Sequence, residues 1–450
     1  MTDIWEYDGK KHVPIYIRKL VVKDGVESLS DYAFMNCTQL VSVDIPGSVK
    51  RIGKAAFKGC KSLHSITIPG VRSLGFRAFE DCSQLISIDI PDTVTIIRES
   101  VFEGCRSLQS INLTGVKSIQ QRAFMQCTQL VSVDIPDSVT EIGASTFSGC
   151  SSLESVSISN VKLIDVCTFY DCSHLVSVDI PDSVIRIGPS AFDGCSSLHT
   201  IHLPQNIEMI SNSSFRGCKS LMSVNLHQLQ LLTTIGDRAF HGCTALPSIQ
   251  FPSSLQNIRK EAFFGCSSIT TLELPPSVRS LSSGCFDRCP LTSVILPPGT
   301  FVSADVCVFQ ITSLKSIQFF SSRNDRKPDL QDFQFLVKVI QSSPEIAQIP
   351  CTNDGVLPLH FSLTHGFAYE LENITTILKA APDVLSVRDP VYHMYPFLLA
   401  ACSPISCPYC PYDLTKKDVD FGKLQCTYML LREEPNVMSF LINNIMSSGV

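Results

Sequence analysis

The sequence predicts a repeat solenoid of short parallel β-strands followed by a small α-helical region, and three observations lead there. Twelve of the 20 cysteines recur at intervals of 22, 23 or 25 residues from Cys37 to Cys289. A phenylalanine stands three residues before each, from Phe34 to Phe286, and Phe309 continues the series on a rung without the cysteine, so 13 of the 26 phenylalanines form one ladder. After each cysteine comes L-x-x-V-x-I, as in Leu40, Val43 and Ile45. Its alternation is that of a short strand, and the proline that usually follows ends it because proline cannot donate to a ladder.

One unit, Ile52 to Val71, reads IGKAAFKGCKSLHSITIPGV. A unit of this size with one strand cannot close its own core, so its Leu, Val, Ile, Phe and Cys positions must be buried against those of its neighbours. In chain order, residues 1–30 are expected as an N-terminal cap and 31–320 as about 13 rungs. The charged stretch SSRNDRKPDL, 321–330, is expected as a linker and 331–450 as a helical region. A second period is superimposed on the first. DYAFMNCTQLVSVDIP (Asp31 to Pro46) recurs as QRAFMQCTQLVSVDIP (Gln121 to Pro136) with 13 of 16 residues identical, and the spacing alternates between 23 and 22 as far as Cys195. The underlying unit there is a 45-residue pair.

The pattern A-F-x-x-C-x-x-L-x-x-V-x-I-P resembles the BspA-like class of the leucine-rich repeat superfamily over roughly residues 14–320. The resemblance implies a right-handed superhelix whose parallel sheet lines a concave face, a surface that in this family usually binds proteins. On each strand two positions point outward. The first is Ser or Thr on every rung, from Ser42 to Ser316. The second varies, and Asp44, Asp89, Asn112, Asp134, Asp179, His202 and Asn225 are the candidate binding residues. The aspartates occupy alternate rungs. Strands about 4.8 Å apart would crowd consecutive carboxylates, whereas alternate ones stand about 10 Å apart, close to one Debye length. Such a stripe suits a protein partner with a basic segment; solvated carboxylates left by duplication are the alternative.

The C-terminal region offers different signals. Gln331–Ser343 has helical apolar spacing, and LPLHFSLTHG (Leu357 to Gly366) resembles the T-P-L-H-x-A opening of a degenerate ankyrin repeat, with Tyr395 to Ala401 as the next opening. The resemblance implies helical hairpins, with His360 fixing its own turn. A last helix is expected over Leu424–Glu434. Cys407, Pro408, Tyr409 and Cys410 match the C-P-Y-C redox motif of glutaredoxins, although no βαβ pattern surrounds them. With Cys402 and Cys426 they also have the spacing of a four-thiolate zinc set, so thiol redox or zinc binding stands as a lesser alternative.

Composition narrows the function classes. Apolar residues are 44% and charged residues 17%, which excludes wholesale disorder, and the net charge of −6 gives no reason to expect nucleic acid. The mean hydropathy is +0.18. The N-terminal stretch MTDIWEYDGKKHVPIYIRKL is interrupted by charge, and no apolar run approaches the roughly 18 residues of a spanning helix. The expectation is therefore a cytoplasmic protein without membrane contact or cofactor, its rung cysteines acting as small buried apolar groups. Parallel register is poor geometry for disulfides between rungs. Cys167, Cys285, Cys307 and Cys351 are singles with packing roles. Without a phosphate loop, H-E-x-x-H or G-x-S-x-G, the sequence points to a noncatalytic protein-interaction scaffold, with a cell-surface or adhesion protein as the alternative.

Overall fold

Each turn of the chain carries two strands, where the sequence reading expected one. In the computed structural model the first is the L-x-x-V-x-I strand, as in Ser42–Asp44, Ser65–Thr67 and Ser87–Asp89. The second is a two-residue strand at the isoleucine or leucine before the phenylalanine, as in Arg51–Ile52, Ser73–Leu74 and Glu141–Ile142. Two residues are too few to show alternation, which is why the periodicity did not reveal this strand. The structure describes residues 4–9 and 13–295. Beyond them it describes 301–302, 316–318, 336–337, 340–341, 344–349, 351, 357–364, 371–381, 383–384, 387 and 390.

The chain divides into two units, residues 1–247 with 261–267, and 248–260 with 268–450. In the first unit the long strands form parallel ladders in one register. Ile4–Tyr7 pairs with Lys19–Val22, which pairs with Ser42–Asp44, and the series runs on to Ser87–Asp89. It resumes at Ser132–Asp134 and continues to Ser223–Val224. Two residues in the segment expected as a cap, Lys19 and Leu20, thus align with Ser42 and Val43 as a rung would. The short strands pair in the same way, for example Ile96–Ile97 with Ser118–Ile119 and then Glu141–Ile142. In the second unit Thr271–Glu273, Ser293–Ile295 and Ser316–Gln318 form one parallel ladder. Asn257–Ile258, Ser280–Leu281 and Phe301–Val302 form the other.

A third column of bonds runs through the turns between the strands. Phe57 N donates to Ala78 O at 2.8 Å and Phe124 N to Thr146 O at 2.9 Å, so each turn is tied to the next along three lines of backbone. Inside lies the aromatic ladder. From Phe34 to Phe263 eleven rings stack in succession with centroids 5.0 to 5.7 Å apart, and Tyr7 closes the N-terminal end edge-on to Phe34. All of these phenylalanines are fully buried.

The rung cysteines do more than fill space. Cys60 Sγ donates to Phe34 O at 3.2 Å, Cys82 to Phe57 O at 3.1 Å and Cys105 to Phe79 O at 3.1 Å. The same bond recurs as far as Cys266 to Phe240 O. Cysteine combines apolar volume with a weak donor that reaches the previous turn's carbonyl, which neither alanine nor valine supplies.

The 45-residue pair has a packing cause. At the position before the rung cysteine the backbone is left-handed, with Asn36, Asp81, Gln126 and Asp171 alternating with Gly59, Gly104, Gly149 and Gly194. A Cβ on any of these four glycines would strike the side chain of the residue one turn earlier. One rung's side chain lies over the next rung's bare backbone, so two rungs make one packing unit. From Gly217 through Gly242 to Gly265 the position is glycine on successive rungs, and the sequence pairing has ended. On the longer rungs Ser48, Thr93, Ser138 and Ser183 also donate to the carbonyls of Val26, Val71, Val116 and Val161.

In the C-terminal region Pro358–Thr364 and Leu371–Ala380 are helices that pack on each other and on the 3-10 turn Pro344–Gln348. Leu359, Leu363, Ile374 and Ile377 are fully buried. Of the helix expected over 331–343, Leu336–Val337 and Ile340–Gln341 are helical. Phe309, Cys307, the 321–330 linker, Tyr395 to Ala401 and Leu424–Glu434 lie outside the described residues, as does the side chain of His360.

Two consequences follow for stability. Phe124→Ala opens a gap in the middle of the stack and should cost about 3–5 kcal/mol in urea unfolding. Gly149→Ala should destabilise through both its clash with Gln126 and its left-handed backbone. Adding Gln126→Gly should recover the clash part; a double variant no more stable than Gly149→Ala alone would rule out the paired-rung packing.

Candidate interaction surface

The outward face of the long-strand ladder is built by the alternation of the strand itself. Val43, Ile66, Ile88, Val133, Val156 and Val178 point inward and are buried, which turns their neighbours outward. On the seven rungs from Val41 to Asp179 those outward positions carry four carboxylates, Asp44, Asp89, Asp134 and Asp179, the column just before them adds Glu154, and none of these positions holds a lysine or arginine. All five are exposed. The register sets Thr67 opposite Asp89 and Asp134 opposite Ser157, so the aspartates stand on alternate strands as their spacing predicts. Asp44 is paired at 3.0 Å with Lys19 of the preceding strand, in an exposed ion pair.

The other sequence candidates have different fates. Asn112 is exposed, but its Oδ1 accepts the backbone N–H of Thr114 at 3.0 Å and is engaged in its own turn. His202 is exposed beside Asp179 in a shallow groove of about 260 Å³, shared with Thr200, Ser223 and His227. Asn225, expected to face outward, is instead buried and structural. Its Oδ1 accepts from Leu203 N at 2.8 Å and its Nδ2 donates to Leu203 O at 2.9 Å. Its rung has the 25-residue spacing, and a 3-10 turn, Leu226–Gln228, follows directly. The carboxamide supplies, from a side chain, the pair of bonds to the preceding turn that a regular strand residue would supply from its backbone.

The sequence reading overlooked an apolar row on this same face. Ile86, Val131 and Val176 sit one residue before the outward serine on the aspartate-bearing rungs and are 42%, 43% and 45% exposed. Their signal was present, in the V-S-V-D and I-S-I-D strings, but it reads as the start of the strand. A second groove, of about 450 Å³, runs along the short-strand ladder between Glu99, Gln120, Glu141 and Asp165.

Six copies of the BspA type leucine rich repeat region match this chain, over residues 15–131, 117–243 and 233–328. The chain belongs to the BspA-type leucine-rich repeat family. Among solved structures, a leucine-rich repeat protein from Bacteroides ovatus is 29% identical over 58% of this chain and 91% of that one, with a TM-score of 0.35. A leucine rich cell surface protein from Faecalibacterium prausnitzii is 25% identical over 71% and 90%, with a TM-score of 0.43. At these TM-scores the superpositions carry no argument about the surface. No curated protein matches the chain. BspA-type repeats are a family generally engaged in protein interaction or surface adhesion.

The thiols of this repeat array are chemically quiet. The fifteen described cysteines form no disulfide, and all but Cys167 are buried. Burial pushes the Cys150 thiol up to about 12 and Cys37 to about 11, and raises Cys60, Cys82, Cys105, Cys127, Cys172 and Cys218 well above the ordinary thiol range. Among the described residues no group of three or more His, Cys, Asp or Glu is placed to hold a metal ion, and no helix is long and apolar enough to cross a membrane. Cys402, Cys407, Cys410 and Cys426 lie outside the described residues.

The raised thiols make stability depend on pH with a definite sign. An unfolded chain loses thiol protons near about pH 8.5 while the folded chain keeps them, so above that pH the folded state binds more protons and stability falls as pH rises. The urea midpoint should be flat below about pH 8 and decline from about 8.5 towards 11. A thiol-specific reagent should label the rung cysteines only as the protein unfolds.

Proposed function

We propose that this BspA-type repeat protein is a noncatalytic scaffold that docks a protein segment carrying regularly spaced basic residues on the outward face of its long-strand ladder. The observation that carries the reading is the charge of that face, which from Val41 to Asp179 holds five carboxylates and no lysine or arginine, Lys19 of the preceding strand pairing only Asp44, and is flanked by the exposed row Ile86, Val131 and Val176. This is the face that the family resemblance makes concave. The helices Pro358–Thr364 and Leu371–Ala380, read as part of an ankyrin-like region, supply a second surface for protein contact. The site of action is the cytoplasm; display on the cell surface is the competing location, and protection from external protease in intact cells decides between them.

The pitch of the row defines the ligand further. Alternate strands place Asp89, Asp134 and Asp179 about 10 Å apart. A polyproline II segment advances about 9.3 Å in three residues and returns every third side chain to one face. The probe is thus a proline-rich peptide with arginine at every third position, compared with one of the same composition in scrambled order. The ordered peptide should bind, and binding should weaken at least tenfold in Asp89→Asn/Asp134→Asn/Asp179→Asn and at high salt. Equal binding of the scrambled peptide, or no loss in the variant, would refute the reading.

A further inference from the structure

The short-strand ladder carries a row of the opposite charge, beside the groove lined by Glu99, Glu141 and Asp165. Its outward positions and those just before them, taken over the seven turns from Lys50 to Arg186, hold six cations and one carboxylate, Glu141. Arg72, Lys117 and Lys162 form a single exposed row on alternate turns, separated by Thr95 and Thr140. Arg51 is already paired with Asp31 at 3.2 Å. The row Arg72, Lys117, Lys162 repeats every 45 residues, and so does the row Asp89, Asp134, Asp179 on the long-strand ladder. Both belong to the unit of residues 1–247, so both advance by two turns of one stack, about 10 Å per step. Neither row has an ion-pair partner among the described residues.

We infer that the occupant of the acidic, apolar-flanked face is a second copy of this chain, which presents its basic short-strand ladder. This inference rests on the reading of that face as a docking surface and names the partner. Two rows of opposite sign with one pitch can be placed charge over charge at every step. A partner with an unrelated spacing would fall out of register after one or two pairs. A single exposed ion pair does little, whereas three in register are favoured together and screened together. Ile86, Val131 and Val176 supply apolar surface beside the acidic row, and Ile96 and Ile185, 36% and 65% exposed, supply it beside the basic one. Because the two contacting faces differ, the contact is heterologous. Each added copy leaves one acidic and one basic face open, and assembly proceeds in rows without closing as a two-fold dimer.

Charge exchange tests this with the full-length chain. One variant carries Asp89→Lys, Asp134→Lys and Asp179→Lys; the other carries Arg72→Glu, Lys117→Glu and Lys162→Glu. All six positions are exposed, and unfolding curves confirm that each variant is folded. Sedimentation of the wild type at an ionic strength of about 0.01 M, where the Debye length is about 30 Å, should show mass rising with concentration, and about 1 M salt should abolish the rise. Each variant alone places like charges at every contact and should weaken association at least tenfold. An equimolar mixture restores opposite charges at both contacts and should assemble as the wild type does. A monomeric wild type at low salt, variants that still associate, or a mixture that does not would each overturn the inference. Binding of the arginine peptide by a monomeric wild type would leave the docking face standing while removing its assignment to a second copy.

Discussion

The bond from each rung cysteine between Cys60 and Cys266 to the carbonyl of the preceding turn's phenylalanine is the constraint on which the rest of the structure depends. It joins residues 25 to 28 apart, one turn plus three residues, and so fixes how far each turn is rotated and advanced from the last. The stacked phenylalanines enforce the same register through shape, since a shifted turn would open a gap between rings 5.0 to 5.7 Å apart. A weak S–H donor is worth little alone. Repeated from Cys60 to Cys266 in a dry core, it selects one register among those that a purely apolar ladder would tolerate. With the register fixed from inside, outward positions such as Asp89, Asp134 and Asp179 can carry charge.

The two-rung packing unit then decides where that charge can go. Because Asn36, Asp81, Gln126 and Asp171 lie over the glycines of the following turns, odd and even turns are not equivalent, and their outward residues differ as well. The aspartates of the acidic row fall on one kind of turn, and Arg72, Lys117 and Lys162 on the other, at a different corner. Within each of the two rows like charges are thereby kept two turns apart, where water and salt screen most of their repulsion. A strict one-rung repeat with the same residues would stack carboxylates about 4.8 Å apart.

Much of this was legible in the sequence because the repeat supplies its own controls. The Phe and Cys ladder, the inward Val and Ile positions and the alternate aspartates are visible as columns once the turns are aligned. Three things were not. The two-residue strand at Arg51–Ile52 and its counterparts has no periodicity to read. The thiol's hydrogen bond is indistinguishable in sequence from simple burial, since both favour cysteine. Asn225 occupies the column of the outward aspartates, but on its longer rung a 3-10 turn follows the strand Ser223–Val224 directly, and the side chain folds back onto Leu203. Column position predicts direction only while the turn length is kept.

The extent of the two devices is the same. Alternation between a side chain and a glycine runs from Asn36 to Gly194, the aspartate row from Asp44 to Asp179, and the basic row from Arg72 to Lys162. Past Gly194 the left-handed position is glycine on successive turns, and the outward column changes to His202, the buried Asn225, Gln250 and Glu273. A surface selected only for its own charge would have no reason to stop where an internal packing pattern stops. Its coincidence with the paired turns means that each paired unit carries one acid on one ladder and one base on the other. The length of the charged face is therefore a count of packing pairs, and changing the number of pairs would change both faces together.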